Sequence, residues 1–208
     1  EWKLPLLKLD AGRLYDKYVG NSEKNFKLAM QMAERLAPIV LWIDELEKAF
    51  GAGSGSEEDG GVSRRVFGTF LSWLQDRRGD VFVVATSNDV AKLPPEFIRK
   101  GRFDEVFFVY LPRPEARKAI FRIHLAKRKQ DPARFDLPAL VVATEGFSGA
   151  EIEQAIIAGL YTAFSAGTPL SSDILLREID DTRPLSQTMA ERLADLREWA
   201  KARTVPAD

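Results

Sequence analysis

The chain reads as an α/β protein in which a parallel sheet is followed by an all-helical second part. Two observations predict this. Up to residue 112, short apolar runs alternate with segments whose apolar residues recur at helical spacing, the pattern of a parallel sheet covered on both faces. Beyond Pro112 the strand-like runs stop and only helical patterns remain.

In chain order, residues 4–9 read as a strand. Phe26, Ala29, Met30, Ala33 and Ala37 then mark a helix over 22–37, which Pro38 ends. Residues 39–43 form a buried strand. The stretch "GAGSGSEEDGG", 51–61, is too polar and glycine-rich to fold by itself and is expected to be disordered. Val62, Val66, Phe70, Trp73 and Leu74 line one stripe of a helix over 62–78, and residues 81–85 and 105–109 supply two more strands. Pro114 suits a first helical position and opens a helix to about residue 128. Ser148 and Glu151 form a capping box that starts a helix to about residue 166. Helices near 172–181 and 187–203 follow, the last with Met189, Leu193, Leu196 and Ala200 on one side. This divides the chain into a sheet domain, 1–112, and a helical domain, 113–208, with no internal repeat.

The bulk properties exclude several classes. A chain of 208 residues can bury a sizeable core, and 45% apolar with 29% charged residues is ordinary for a globular protein. Thirty basic against thirty-one acidic side chains provide no electrostatic drive towards nucleic acid or an anionic membrane. No apolar run reaches the roughly 18 residues of a spanning helix, and no secretory signal is visible. The absence of cysteine excludes disulfides, thiolate metal sites and a cysteine nucleophile, and fits a reducing compartment. Because the sequence starts at Glu1 and not at methionine, it is expected to be a fragment whose start lies upstream.

Three stretches carry chemistry. In "IVLWIDELEKAF" a buried strand runs into Asp44 and Glu45. At the carboxyl end of a strand, Asp44 can hold Mg²⁺ through its water shell while Glu45 polarises an attacking water. The same residues also fit a strand that ends in two solvated acids. "VFVVATSN" ends on Thr86, Ser87 and Asn88, so Asn88 can lie near Asp44 and Glu45, where open parallel sheets bind ligands, or can simply form a turn. "LPPEFIRKGRFD" holds Arg99 and Arg102, which can neutralise charge on a transferring phosphoryl group or remain solvated in a surface turn.

Together and in this order the stretches resemble the AAA ATPases. "IVLWIDE" resembles their Walker B strand, "ATSN" their sensor 1, and "LPPEFIRKGRFD" their second region of homology with paired arginine fingers. "GFSGAE", 146–151, resembles the sensor 2 segment at the start of a lid helix, and "KYVGNSE", 17–23, resembles the first pore loop. Within the family, "LWIDELEKAF", "SRRVFGTFLSWLQD", "LPPEFIRKGRFDEVFF", "FRIHLAKRK" and "PLSQTMAERLADLREWAK" are similar to the cyanobacterial and plastid branch called hypothetical chloroplast reading frame forty-six.

The resemblance implies an AAA-type parallel sheet followed by a helical lid domain, with ATP and Mg²⁺ as cofactors. It implies Asp44 as the metal residue and Glu45 and Asn88 as catalytic groups in cis, with Arg99 and Arg102 reaching the nucleotide of the next subunit of a homo-oligomeric, hexameric ring. Gly149 and Ala150 match the segment that approaches adenine and ribose, and the family's lid arginine is absent there. His124 matches a position that contacts the base or ribose, although it also fits packing on its helix's inner face. Tyr18 and Val19 match the pore grip on a polypeptide substrate, where an aromatic ring can hold side chains without reading sequence. Tyr18 also fits a cover on the core edge beside Tyr15, but the flanking Lys17, Gly20 and Asn21 favour an exposed loop. The run Lys127, Arg128 and Lys129 fits a solvated helix end better than a nucleic-acid contact. The implied location is the cytoplasm, or the plastid stroma in a plastid-bearing source.

One part of the family pattern is missing. No G-x-x-x-x-G-K-[ST] phosphate loop occurs in the 208 residues, and the four strands resemble the second to fifth of the AAA sheet, whose order in that family is 5-1-4-3-2. The absent inner strand would leave a slot of unpaired backbone and apolar surface. The implied activity is ATP hydrolysis coupled to protein remodelling by the complete protein, with this stretch alone inactive; the alternative is a non-hydrolysing regulatory or scaffold module. The 208 residues alone are expected not to fold properly or to bind Mg·ATP tightly, as isothermal titration would read; micromolar affinity would contradict that expectation.

Overall fold

Alternation along three strands explains the sheet. β1 (Leu6–Asp10), β2 (Ile39–Asp44) and β3 (Val81–Ala85) run parallel in the order β1-β2-β3. Their register pairs Leu9 with Ile43 and Ile43 with Ala85. In this computed structural model the described residues are 2–10, 21–50, 57–76, 79–99 and 101–207. The chain forms two compact units, Glu1–Asp104 and Glu105–Asp208.

In the first unit Leu9, Leu41, Ile43 and Val81 are buried against α1 (Asn21–Arg35) and α3 (Glu57–Asp76). Phe26, Met30 and Ala33 supply the contacts from α1, and Val66, Phe70 and Leu74 those from α3. Phe50, at the end of α2 (Leu46–Phe50), stacks on Phe70 with ring centroids 5.4 Å apart. Trp73 Nε1 donates to Glu34 Oε1 at 2.8 Å and ties α3 to α1. The opposite face is open: Leu6, Phe82 and Val84 are exposed, and Trp2 meets Phe82 edge-on at 5.0 Å. Among the described residues β3 pairs with no strand other than β2.

Two expectations change here. The strand at 105–109 does not join this sheet. It shortens to β4 (Phe107–Phe108) and pairs in parallel with β5 (Val205–Pro206), both in the second unit. Val205 N–H donates to the Val106 carbonyl and Ala207 N–H to the Phe108 carbonyl, so a tail segment supplies the partner. An apolar run specifies a strand but not what pairs with it. The segment expected to be disordered is helical from Glu57, because α3 extends N-terminally from the turns that Val66 and Phe70 anchor.

The second unit packs α4 (Pro114–Lys127), α5 (Leu137–Ala143), α6 (Gly149–Ser165), α7 (Ser172–Asp180), α8 (Leu185–Thr188) and α9 (Ala190–Lys201). Phe121, Leu125, Leu140, Ile152, Ile156 and Leu175 form its core. Arg117 is buried and donates to the carbonyls of Pro112 and Val141, so its charge is spread over backbone acceptors. Neither α2 nor α5 was visible in the sequence, because five or seven residues are too few to establish a helical period. The Asp136 carboxylate caps α5 by accepting the Ala139 N–H at 3.0 Å.

Gly159 sets the approach of α7 to α6. A Cβ there would stand 2.8 Å from Leu175 Cδ2 and 3.2 Å from Leu170 Cδ1. Gly159→Val is expected to destabilise the protein by about 1–3 kcal/mol through overpacking, read by urea denaturation.

Candidate active site

Burial on either side pushes two carboxylates to the sheet's edge. Ile43 and Leu46 are both buried, so Asp44 and Glu45 must leave the core between them. The backbone turns at Glu45, whose φ of 53° lies in the left-handed region that residues other than glycine seldom adopt. The exit of β3 holds this turn. Thr86 N–H donates to the Ile43 carbonyl, and the Thr86 carbonyl accepts Leu46 N–H at 2.8 Å. Thr86 Oγ1 accepts Glu45 N–H at 3.2 Å and donates to Asp44 Oδ1 at 2.7 Å.

The side chains are arranged as pairs. Lys8 Nζ donates to Asp44 Oδ2 at 3.0 Å and stands 4.2 Å from the centre of the Trp42 ring. The Thr86 hydroxyl, with the Lys8 ammonium, holds the Asp44 carboxyl below the ordinary carboxylate range. Lys48 Nζ donates to Glu45 Oε2 at 2.6 Å, and that carboxylate raises the Lys48 ammonium's proton affinity. Asn88 Nδ2 donates to Glu45 Oε1 at 3.4 Å. Glu47 is buried, and its Oε1 accepts Asn88 N–H at 3.2 Å.

Asp44, Glu45 and Asn88 are therefore brought together. Arg99 and Arg102 follow a short 3-10 turn, Pro95–Ile98, which Phe97 fastens into the core by packing on Phe50, Phe67 and Phe70. Arg99 is exposed, whereas Arg102 has a buried Nη1 with no hydrogen-bond partner among the described residues. Neither arginine is hydrogen-bonded or ion-paired to Asp44, Glu45 or Asn88 among the described residues. Tyr18 and Val19 lie outside the described residues.

His124, Gly149 and Ala150 belong to the second unit. Gly149 begins α6 so close to α4 that a Cβ would stand 3.4 Å from Ile120 Cδ1. Ala150 is exposed beside it. One α-helical turn beyond Ile120, His124 Nδ1 lies 3.2 Å from Glu153 Oε1 and 3.3 Å from Arg128 Nη1. Arg128 Nη2 also donates to Glu153 Oε1 at 2.7 Å, and this contact, with His124 nearby, keeps the Glu153 carboxyl below its ordinary range against the opposing effect of burial. His124 is partly buried where α4 meets α6. Glu151 completes the capping box with Ser148 and accepts Leu185 N–H at 2.7 Å through its other oxygen.

Residues 1–111 match the family described as ATPase family associated with various cellular activities (AAA). The chain belongs to the AAA family. It is 44% identical over 203 residues to "Uncharacterized AAA domain-containing protein ycf46" of Guillardia theta, covering 97% of this chain and 40% of that protein. It is 46% identical over 201 residues to the protein of the same description from Pyropia yezoensis, covering 96% of this chain and 41% of that one. "Proteasome-activating nucleotidase" of Sulfurisphaera tokodaii is 36% identical over 165 residues, covering 76% of this chain and 41% of that protein. The chain thus spans about two fifths of the length of these curated relatives.

The donors at the strand exit of this AAA protein fit a hard cation. Asp44 and Thr86 present oxygen, and the Lys8 ammonium already rests on Asp44 Oδ2. No group of three or more His, Cys, Asp or Glu that could hold a metal occurs among the described residues. Mg²⁺ commonly needs only one or two carboxylates, with water and phosphate oxygens completing its shell. Among the described residues no helix is long and apolar enough to cross a membrane.

Lys8, Lys48 and Glu47 were not singled out from the sequence. Lys48 had a signal, standing three residues after Glu45 at helical spacing. Because the Asp44 carboxyl is held low, its contacts stabilise the strand exit fully above the ordinary carboxylate range and are lost as pH falls through its lowered value. Thr86→Val and Lys8→Met are each expected to raise the Asp44 titration midpoint, read by carboxyl ¹³C NMR against pH.

Proposed function

We propose that the chain is the hydrolytic part of a ring-forming AAA ATPase that couples ATP hydrolysis to remodelling or unfolding a protein substrate. The observation that carries this reading is the 3.4 Å contact between Asn88 Nδ2 and Glu45 Oε1 beside Asp44, at one carboxyl edge of a parallel sheet. Similarity to a proteasome-activating nucleotidase supports a protein as the substrate.

In this reading Glu45 accepts a proton from the attacking water, and Asn88 orients that water or the γ-phosphate. Asp44, with Thr86, would hold Mg²⁺, which supplies charge neutralisation on the phosphates. Arg99 and Arg102 serve the nucleotide of the neighbouring subunit, so a hexameric ring is the active form. His124, Gly149 and Ala150 contact the base and ribose, and Tyr18 with Val19 grips the polypeptide. The site of action is the plastid stroma in a plastid-bearing source and the cytoplasm otherwise.

The second reading is a non-hydrolysing regulatory or scaffold module, which holds if the complete protein has no phosphate loop. The two separate on a single variant. In the complete protein, Glu45→Gln is expected to lower ATP turnover by about 10²–10⁴-fold while ATP stays bound, read by steady-state hydrolysis and nucleotide retention. A complete protein that neither binds nor hydrolyses ATP before mutation would establish the scaffold reading.

A further inference from the structure

We infer that Glu47 is a positioning residue for hydrolysis, its buried carboxylate fixing the backbone at Asn88 and so setting where the Asn88 amide stands against Glu45. This rests on the reading of Glu45 and Asn88 proposed above.

Glu47 lies two residues past Glu45 on the short helix α2, yet it is only 8% exposed. Burying a carboxylate is unfavourable unless its oxygens find donors. Oε1 finds one in Asn88 N–H at 3.2 Å; Oε2 is buried with no partner among the described residues. The carboxylate is therefore held inside for a single backbone contact. Leu46 and Phe50, both buried, anchor α2 from either side of Glu47. Asn88 itself bridges the two acids, its backbone donating to Glu47 and its side chain to Glu45. The neighbouring N–H groups are satisfied elsewhere, Leu46 by the Thr86 carbonyl and Asp89 by Ser87 Oγ. Glu47 is the acceptor for the residue whose side-chain amide donates to the Glu45 carboxylate.

A displacement of about 1 Å at a catalytic group can cost roughly 10²-fold in rate. In the complete protein, Glu47→Leu keeps the volume and removes the acceptor. It is expected to lower kcat by up to about 10²-fold with KM for ATP unchanged, whereas Glu47→Gln, which keeps an acceptor oxygen, restores most of the rate. Because Glu47 acts through Asn88, the Glu47→Leu/Asn88→Ala double variant is expected to be no slower than Asn88→Ala alone. Losses that multiply in the double variant, or a folded Glu47→Leu protein with unchanged kcat, overturn the inference. If Glu47→Leu does not fold, Glu47→Asp decides: its shorter reach is expected to lower kcat alone, and a wild-type kcat overturns the inference. Should Asn88→Ala by itself leave kcat unchanged, the reading of the site fails and this inference fails with it. Should Asn88→Ala be slow while the losses multiply, only the role of Glu47 falls.

Discussion

The hydroxyl of Thr86 joins two strand exits that share a direction and an edge. It donates to Asp44 Oδ1 and accepts from Glu45 N–H, while the Thr86 backbone engages Ile43 and Leu46. A left-handed residue other than glycine persists only where its surroundings over-determine it. Here the buried Ile43 and Leu46 fix the chain on both sides of Glu45, and β3 supplies the hydrogen bonds. Without that parallel neighbour, Asp44 and Glu45 would be two acids on a flexible turn.

Around this turn the acids differ by exposure. Asp44 and Glu45 each carry a lysine at the surface, Lys8 and Lys48. Exposed ion pairs contribute little to stability, so these cations can yield to another partner at small cost. Glu47 is the opposite case, a buried acid committed to one backbone donor. Adjacent carboxylates in one short motif thus have separate capacities, two to exchange partners and one to hold geometry.

The helical unit uses polar groups in a similar way at its own helix contacts. Glu153 draws His124 of α4 and Arg128 just past its end against α6, and His124 Nδ1 faces a carboxylate and a guanidinium together. Glu151 divides its two oxygens between the N-terminus of α6 and the start of α8, so one carboxylate fixes both the Gly149 segment and the tail. Gly146 approaches Ser186 so closely that a Cβ there would stand 2.4 Å from its hydroxyl oxygen. Small residues and one acid together permit the turn before α6 to lie against the chain before α9.

The sequence alone determined the strands at 39–44 and 81–85, the main helices, the Ser148 cap and the polar strand exits, because alternation, helical period and capping are local patterns. It also determined family membership, since motif order survives in the linear chain. Only tertiary structure decided that residues 107–108 pair with the tail, that α3 reaches back to Glu57, and that Thr86 bridges Asp44 and Glu45. It alone turned Glu47 inward and left Glu45 outside, although the letters of "DELEK" treat both as acids. Which face of a short helix meets a neighbouring strand depends on contacts some forty residues apart, as between Glu47 and Asn88, and no local period encodes such a contact.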